Sequence, residues 1–221
     1  MQDDPFGGLM LPWRNAQKPM ADVGRWGNFP TYGQTLLAHN NSIPYVLMWV
    51  QSKIAIPSLD WLLLTQAIQC HDQGEPLSGG DEHAGNKTPD KELREYLAVA
   101  EMMQWTDPAF SHQFMHAFLL QYVRKPQLWS GMASRDQVVV QALSKHCQRE
   151  AIIFELTERL DYLMSAVEGY QRGLRNHQET MIDHVLRNQV PKLDALVIEW
   201  PTLATVWTTV LRTELLSLGS Q

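Results

Sequence analysis

The chain has 221 residues, 44% of them hydrophobic, enough for one sizeable core and too few for two full domains. A count of 18 Lys and Arg against 24 Asp and Glu gives a net charge of -6, so the chain lacks the broad basic footprint that grips a nucleic-acid backbone. No apolar run approaches the roughly 18 residues that cross a bilayer, and no basic-then-apolar leader opens the chain.

The two cysteines, Cys70 and Cys147, match no zinc-ligand spacing and read as reduced thiols of a cytoplasmic protein. Residues 1–33 are rich in Pro and Gly and carry Phe6, Trp13, Trp26 and Phe29 without helical spacing. They read as an irregular arm packed on a domain that spans 34–221. Within the arm, Arg25-Trp26 sets a fork-shaped cation beside a large ring. That pairing suits phosphate and base contacts, and equally a surface ion pair beside a core plug.

From Gln34 to Lys53, Leu36, Leu37, Ile43, Val46, Leu47 and Val50 recur at three- and four-residue steps, which predicts an amphipathic helix. Pro44 removes a backbone donor, so the regular helix is expected to begin near Asn41 or Ser42, with His39 at its entrance. Leu59–Cys70 comes next, with Leu59, Leu62, Leu63, Ala67 and Ile68 as its expected buried face. It runs into His71-Asp72, an imidazole and a carboxylate that can ligate one divalent ion if other elements complete the set. The next stretch, QGEPLSGGDEHAGNKTPD, has the Gly, Pro and acid content of a surface loop, and its length points to function.

Asp90 is expected to cap a helix from Lys91 to about Trp105, with Leu93, Leu97, Ala100 and Met103 inward. A helix from about Pro108 to Val123 carries His112 and His116 on one face. Without a third ligand or a glutamate spaced as in HExxH, they read as packing or surface residues. Residues 125–133 read as a loop, with Ser134 capping the next helix. Gln137 to Arg172 is a long helical pattern with a break near Cys147. In it Asp161 lies on or beside the apolar stripe, where carboxylates are seldom found unless paired or metal-bound. Glu158 and Arg159, on the neighbouring face, fit a surface network. His177–Asn188 continues as a polar helix that Pro191 interrupts, and the last helix runs from Pro201 to about Leu218. Strand patterns, phosphate loops, nucleophile elbows and repeats do not appear, so the fold class is all-α.

His39, His71-Asp72 and Asp161 stand in the order H…HD…D on three helices. This resembles the HD superfamily of metal-dependent phosphohydrolases, and within it the bacterial 5'-deoxynucleotidases. That group has an Arg-Trp pair ahead of the first His, as Arg25-Trp26 stands here, and a Glu three residues past the HD Asp, as Glu75 does. It also has a loop Asp followed by Thr-Pro and Lys, matched here by Asp81, Thr88-Pro89 and Lys91. The resemblance covers roughly residues 20–175. It implies a single HD-type helical bundle with its metal-site core at about 34–175.

The ligands it implies are His39, His71, Asp72 and Asp161 around one divalent ion (Co, Mn, Mg, Zn, Ni or Fe). Glu75 would be the catalytic acid or base, Arg25 would hold phosphate, Trp26 the sugar or base and Asp81 the sugar hydroxyl, with Lys91 a further phosphate contact. The implied activity is removal of phosphate from deoxynucleoside 5'-monophosphates. The rival within the enzyme class is a deoxynucleoside triphosphate triphosphohydrolase, and outside it a non-catalytic HD-type protein that binds a nucleotide or partner. The partner is then a small-molecule nucleotide, with no nucleic-acid polymer or membrane, and since the related nucleotidases are often dimers a homodimer or higher homo-oligomer is a further expectation. The chain departs from the pattern at Ala38, where the family usually has an acid, in a longer loop around Asp81, and in an inserted segment containing Trp129.

Overall fold

In the computed structural model, which describes residues 20–24, 35–54, 56–78, 88–173 and 181–219, the regular elements are helical. The extended pairing among these residues is an isolated bridge between Gly24 and Thr35. The all-α reading therefore holds for the described residues. Among them, no helix is long and apolar enough to cross a membrane. Of the expected arm, only residues 20–24 are described; Met20 is buried there, and the Val23 carbonyl accepts from the Leu36 N–H.

Helix α1 spans Leu36–Lys53, five residues longer at its start than the proline suggested. Thr35 caps it by accepting from the Ala38 N–H, and Pro44 lies inside it. An interior proline forfeits one backbone bond and costs about 3 kcal/mol. Against this, the first two turns bury both Leu36 and His39 at 1% exposure, so tertiary packing extends the helix through the proline. Helix α2, Trp61–Cys70, is capped by the Asp60 carboxylate on the Leu63 N–H. Its inward face is Leu63, Leu64, Ala67 and Ile68, whereas Leu62, expected inside, is 68% exposed. The true stripe is rotated by about one residue toward Leu64.

After α2 the chain tightens into a 3-10 turn, His71–Gly74. The expected surface loop thus begins later than its composition implied, because Gln73, Gly74 and Glu75 are all buried. Helix α3, Pro89–Met103, presses on this turn. Its cap is Thr88, not Asp90: the hydroxyl accepts from Lys91 N and Pro89 takes the first helical position, where a missing N–H costs nothing. Tyr96, Val99, Met102 and Met103 face the core, and Leu97 is half-exposed, so the face turns relative to the expected one.

Helix α4 spans Pro108–Phe118 and continues as a 3-10 turn, Leu119–Tyr122. Its two histidines, His112 and His116, are exposed. Residues 126–131 form another 3-10 turn, where a loop was expected. Helix α5 is Ser134–His146 and α6 is Gln148–Gln171, separated at Cys147 as the pattern indicated; Ser134 is the first residue of α5 and Ala133 its cap. Helix α7, Met181–Glu199, passes straight through Pro191, since Val185, Leu186, Val190, Leu193 and Leu196 form one stripe against α6 on both sides of it. The last segment divides into a 3-10 turn, Pro201–Thr205, and α8, Thr209–Leu218. Helix α6 is the centre of the bundle, with α1, α2 and α7 packed around it. It buries Ile153, Leu156, Leu160 and Leu163, each contributing about 1.5–3 kcal/mol, and the smaller Ala166. That packing brings one turn of α1, the end of α2 and the middle of α6 to a common point.

Candidate metal centre

His39 projects from the second turn of α1, His71 and Asp72 from the junction of α2 and its 3-10 turn, and Glu158 and Asp161 from α6. His71 Nδ1 is 2.7 Å from the Ile68 carbonyl oxygen, which can only accept, so Nδ1 carries the hydrogen and donates it. His39 Nδ1 is likewise 2.8 Å from Asp161 Oδ2. With both Nδ1 edges engaged, the two Nε2 atoms turn toward one another and stand 3.2 Å apart. Asp72 spans them, Oδ1 being 3.1 Å from His71 Nε2 and Oδ2 3.3 Å from His39 Nε2. Glu158 Oε1 is 2.9 Å from His71 Nε2 and 4.0 Å from His39 Nε2.

Each Nε2 of a neutral ring with its hydrogen on Nδ1 is a lone pair, as are the carboxylate oxygens. Acceptors so close in a buried place require a cation among them, either protons or a metal ion. Burial would lower the pKa of His71, but the carboxylates of Asp72 and Glu158 override it and hold the imidazole well above its ordinary value. Burial would likewise raise Asp72 and Glu158, and the neighbouring imidazoles, His71 foremost, pull both below the usual carboxylate range. The donor set fits a metal. Ligands at about 2.0–2.2 Å from a divalent ion lie about 3.0–3.5 Å from their neighbours. The ligand atoms of His39, His71 and Asp72 all lie within 4.8 Å of one another. Imidazole with carboxylate suits Mn, Co, Fe, Ni and Zn.

The centre forms the floor of a cleft of about 350 Å³. Glu75 lines it, buried to 6% exposure on the segment that carries His71. Four cations, Arg124, Lys125, Arg159 and Lys192, border it together with the carboxylates of Glu92 and Glu155. Glu155 accepts from both Arg124 and Arg159, Glu199 takes Arg124 in a two-pronged pair at 2.8 Å, and Glu92 takes Lys125. Lys192, at the rim, makes no ion pair among the described residues; desolvation and then Arg159 depress its pKa. In comparisons with known proteins, no family model, curated protein or solved structure matched the chain.

The structure brings together His39, His71 and Asp72, with Asp161 behind His39 and Glu75 beside them. Lys91 is buried on α3 and is not among the residues that border the cleft. Arg25, Trp26 and Asp81 lie outside the described residues. The sequence reading assigned Glu158 to a surface network, yet Oε1 is buried in the centre, 2.9 Å from His71 Nε2. The signal was available: Glu158 is three residues before Asp161, one turn away on the same face. The gathering of Arg124, Lys125, Arg159 and Lys192 at one cleft could not be read in advance, since α6, α7 and the segment after Tyr122 meet only in the fold.

Proposed function

We propose that the chain is a metal-dependent phosphohydrolase acting on deoxynucleoside 5'-monophosphates. The observation that carries this is the placement of His39 Nε2, His71 Nε2 and Asp72 on the floor of a cleft walled by Arg124, Arg159 and Lys192. The H…HD…D order of the resemblance supplies the substrate class. His39, His71 and Asp72 would hold the ion, and Asp161, the fourth member of the implied set, meets His39 at Nδ1. A divalent ion there supplies Lewis acidity toward a phosphoryl oxygen and lowers the pKa of water. Glu75 is the acid or base: a buried carboxylate on the cleft wall can take a proton from the attacking water or give one to the leaving oxygen. Lys192, and Arg124 and Arg159 with their carboxylate partners, would orient the phosphate, which is most of what phosphoryl transfer asks of a protein. Arg25, Trp26 and Asp81 are proposed, from the resemblance alone, to bind phosphate, nucleoside and sugar hydroxyl.

The rival is cleavage of a deoxynucleoside triphosphate to nucleoside and triphosphate, whose longer phosphate chain would have to meet the same four cations that border the cleft. A panel of mono-, di- and triphosphates with Mn, Co and Mg, followed by product chromatography, separates them. Orthophosphate from monophosphates, abolished in Glu75→Ala while bound metal is retained, is the expected result. Intact triphosphate released from dNTPs would replace the reading with its rival. Bound metal with no nucleotide turned over would instead mark a non-catalytic nucleotide- or partner-binding protein.

A further inference from the structure

We propose that Glu158 is a ligand of the metal centre and that Asp161, one turn further along α6, is a positioning residue that acts through His39. The inference rests on the metal-dependent reading for the presence of an ion, and not for the reaction.

Three features of the geometry separate the two acids. Asp161 Oδ2 meets His39 at Nδ1, 2.8 Å away, which is the ring edge turned from His71; the edge that faces His71 is Nε2. A carboxylate accepting the Nδ1 hydrogen fixes the tautomer and raises the basicity of Nε2, the usual task of an outer partner to a ligating histidine. Glu158 Oε1, in contrast, reaches the side where the lone pairs converge, 2.9 Å from His71 Nε2. The His71 Nδ1 hydrogen is already given to the Ile68 carbonyl, so Nε2 of the neutral ring has none to offer. Oε1 is thus a buried oxygen whose near polar neighbour is His71 Nε2, and with that ring neutral it meets no donor there. A buried acceptor facing a lone pair is costly unless a cation is shared between them. With Asp72, Glu158 makes the inner set two imidazoles and two carboxylates, which balances a divalent charge. This differs from the H…HD…D assignment, in which Asp161 is the last ligand. The competing account is an ordinary ion pair in which His71 carries both ring hydrogens and Glu158 never meets a metal.

The test is titration of the full metal-free chain with Co(II) and Mn(II) by calorimetry, together with the visible spectrum of the Co(II) form. Glu158→Gln, close in shape but a poor ligand, is expected to weaken Co(II) binding by roughly 100-fold or more and to alter the visible bands. Asp161→Asn is expected to weaken binding by about 10–100-fold while the bands keep their position and intensity. Wild-type affinity and spectrum in Glu158→Gln would overturn the proposal, as would bands in Asp161→Asn that show a lost ligand. If Glu158→Gln does not fold without metal, Glu158→Asp gives the same reading, with weakened binding expected and unchanged binding overturning. A wild-type chain that binds neither ion would sink the metal-dependent reading as well. Tight wild-type binding beside an unaffected Glu158→Gln sinks this inference alone.

Discussion

Substituting Gly74→Ala tests how the His71-Asp72 turn is held. A Cβ built on Gly74 would stand 2.6 Å from the Glu95 carbonyl oxygen, 2.8 Å from Glu95 Cβ and 2.9 Å from its carbonyl carbon. These neighbours are backbone, or fixed to it, inside α3, so relief requires the 3-10 turn and the helix to separate. Overpacking of this kind costs about 1–3 kcal/mol. The loss of unfolded-chain freedom on replacing glycine works the other way, by about 0.4–1 kcal/mol. The steric cost wins, with a net loss on the order of 1–2 kcal/mol, and for a chain of this size the melting temperature falls by about 2–8 °C. Because Gly74 shares its turn with His71 and Asp72, metal affinity should fall too. Urea unfolding and calorimetry of the metal-free protein read the first effect, metal titration the second. A variant that melts at or above the wild-type temperature would show that the turn is not wedged against α3.

Tyr96→Phe removes a hydroxyl that donates to Asp136 Oδ2 at 2.8 Å and accepts from the Ala133 N–H at 2.9 Å; losing these buried partners should cost about 1–3 kcal/mol by denaturant unfolding. Burial would raise the pKa of Glu155, but Arg159 and then Arg124 reverse this and hold it below the ordinary glutamate value. Its folded pKa being lower than its unfolded one, its stabilisation is complete above the unfolded value of about 4.3 and is lost as pH falls through the folded value. Glu155→Gln should therefore be less stable at neutral pH and show a flatter loss of stability on acidification; an unchanged slope would contradict the pairing. Lys192→Ala should raise KM for phosphorylated substrates several-fold, with kcat and melting temperature nearly unchanged, since the side chain stands at the rim without an ion pair. A fall in kcat with constant KM would contradict that place for it.

The helices were legible where an apolar stripe met solvent on the other side, as in α1 and α2, and the break at Cys147 showed in the pattern of its flanks. Boundaries at Pro44 and Pro191 were not, because local backbone chemistry predicts a stop and only long-range burial of Leu36 and His39, or of the α7 stripe, outweighs it. Helix α6 hid its chemistry for a related reason. It is buried on several sides, so although Asp161 could be placed on or beside the apolar stripe, the inward face of Glu158 shows plainly only with α1, α2 and α7 packed around the helix. His39, His71 and Asp72 were found through their order along the chain, while the opposing directions of His39 Nδ1 and Nε2 are a property of three-dimensional structure alone.

The central claim is that His39, His71 and Asp72 hold a divalent ion, and the most direct measurement is the thermal stability of the metal-free chain with and without Co(II) or Mn(II). At an ion concentration of 100 times Kd, binding should stabilise the wild type by about 2.7 kcal/mol. That corresponds to a rise in melting temperature of about 5–10 °C, absent in His71→Ala. A wild-type melt indifferent to every such ion, or an equal rise in both proteins, would contradict the account.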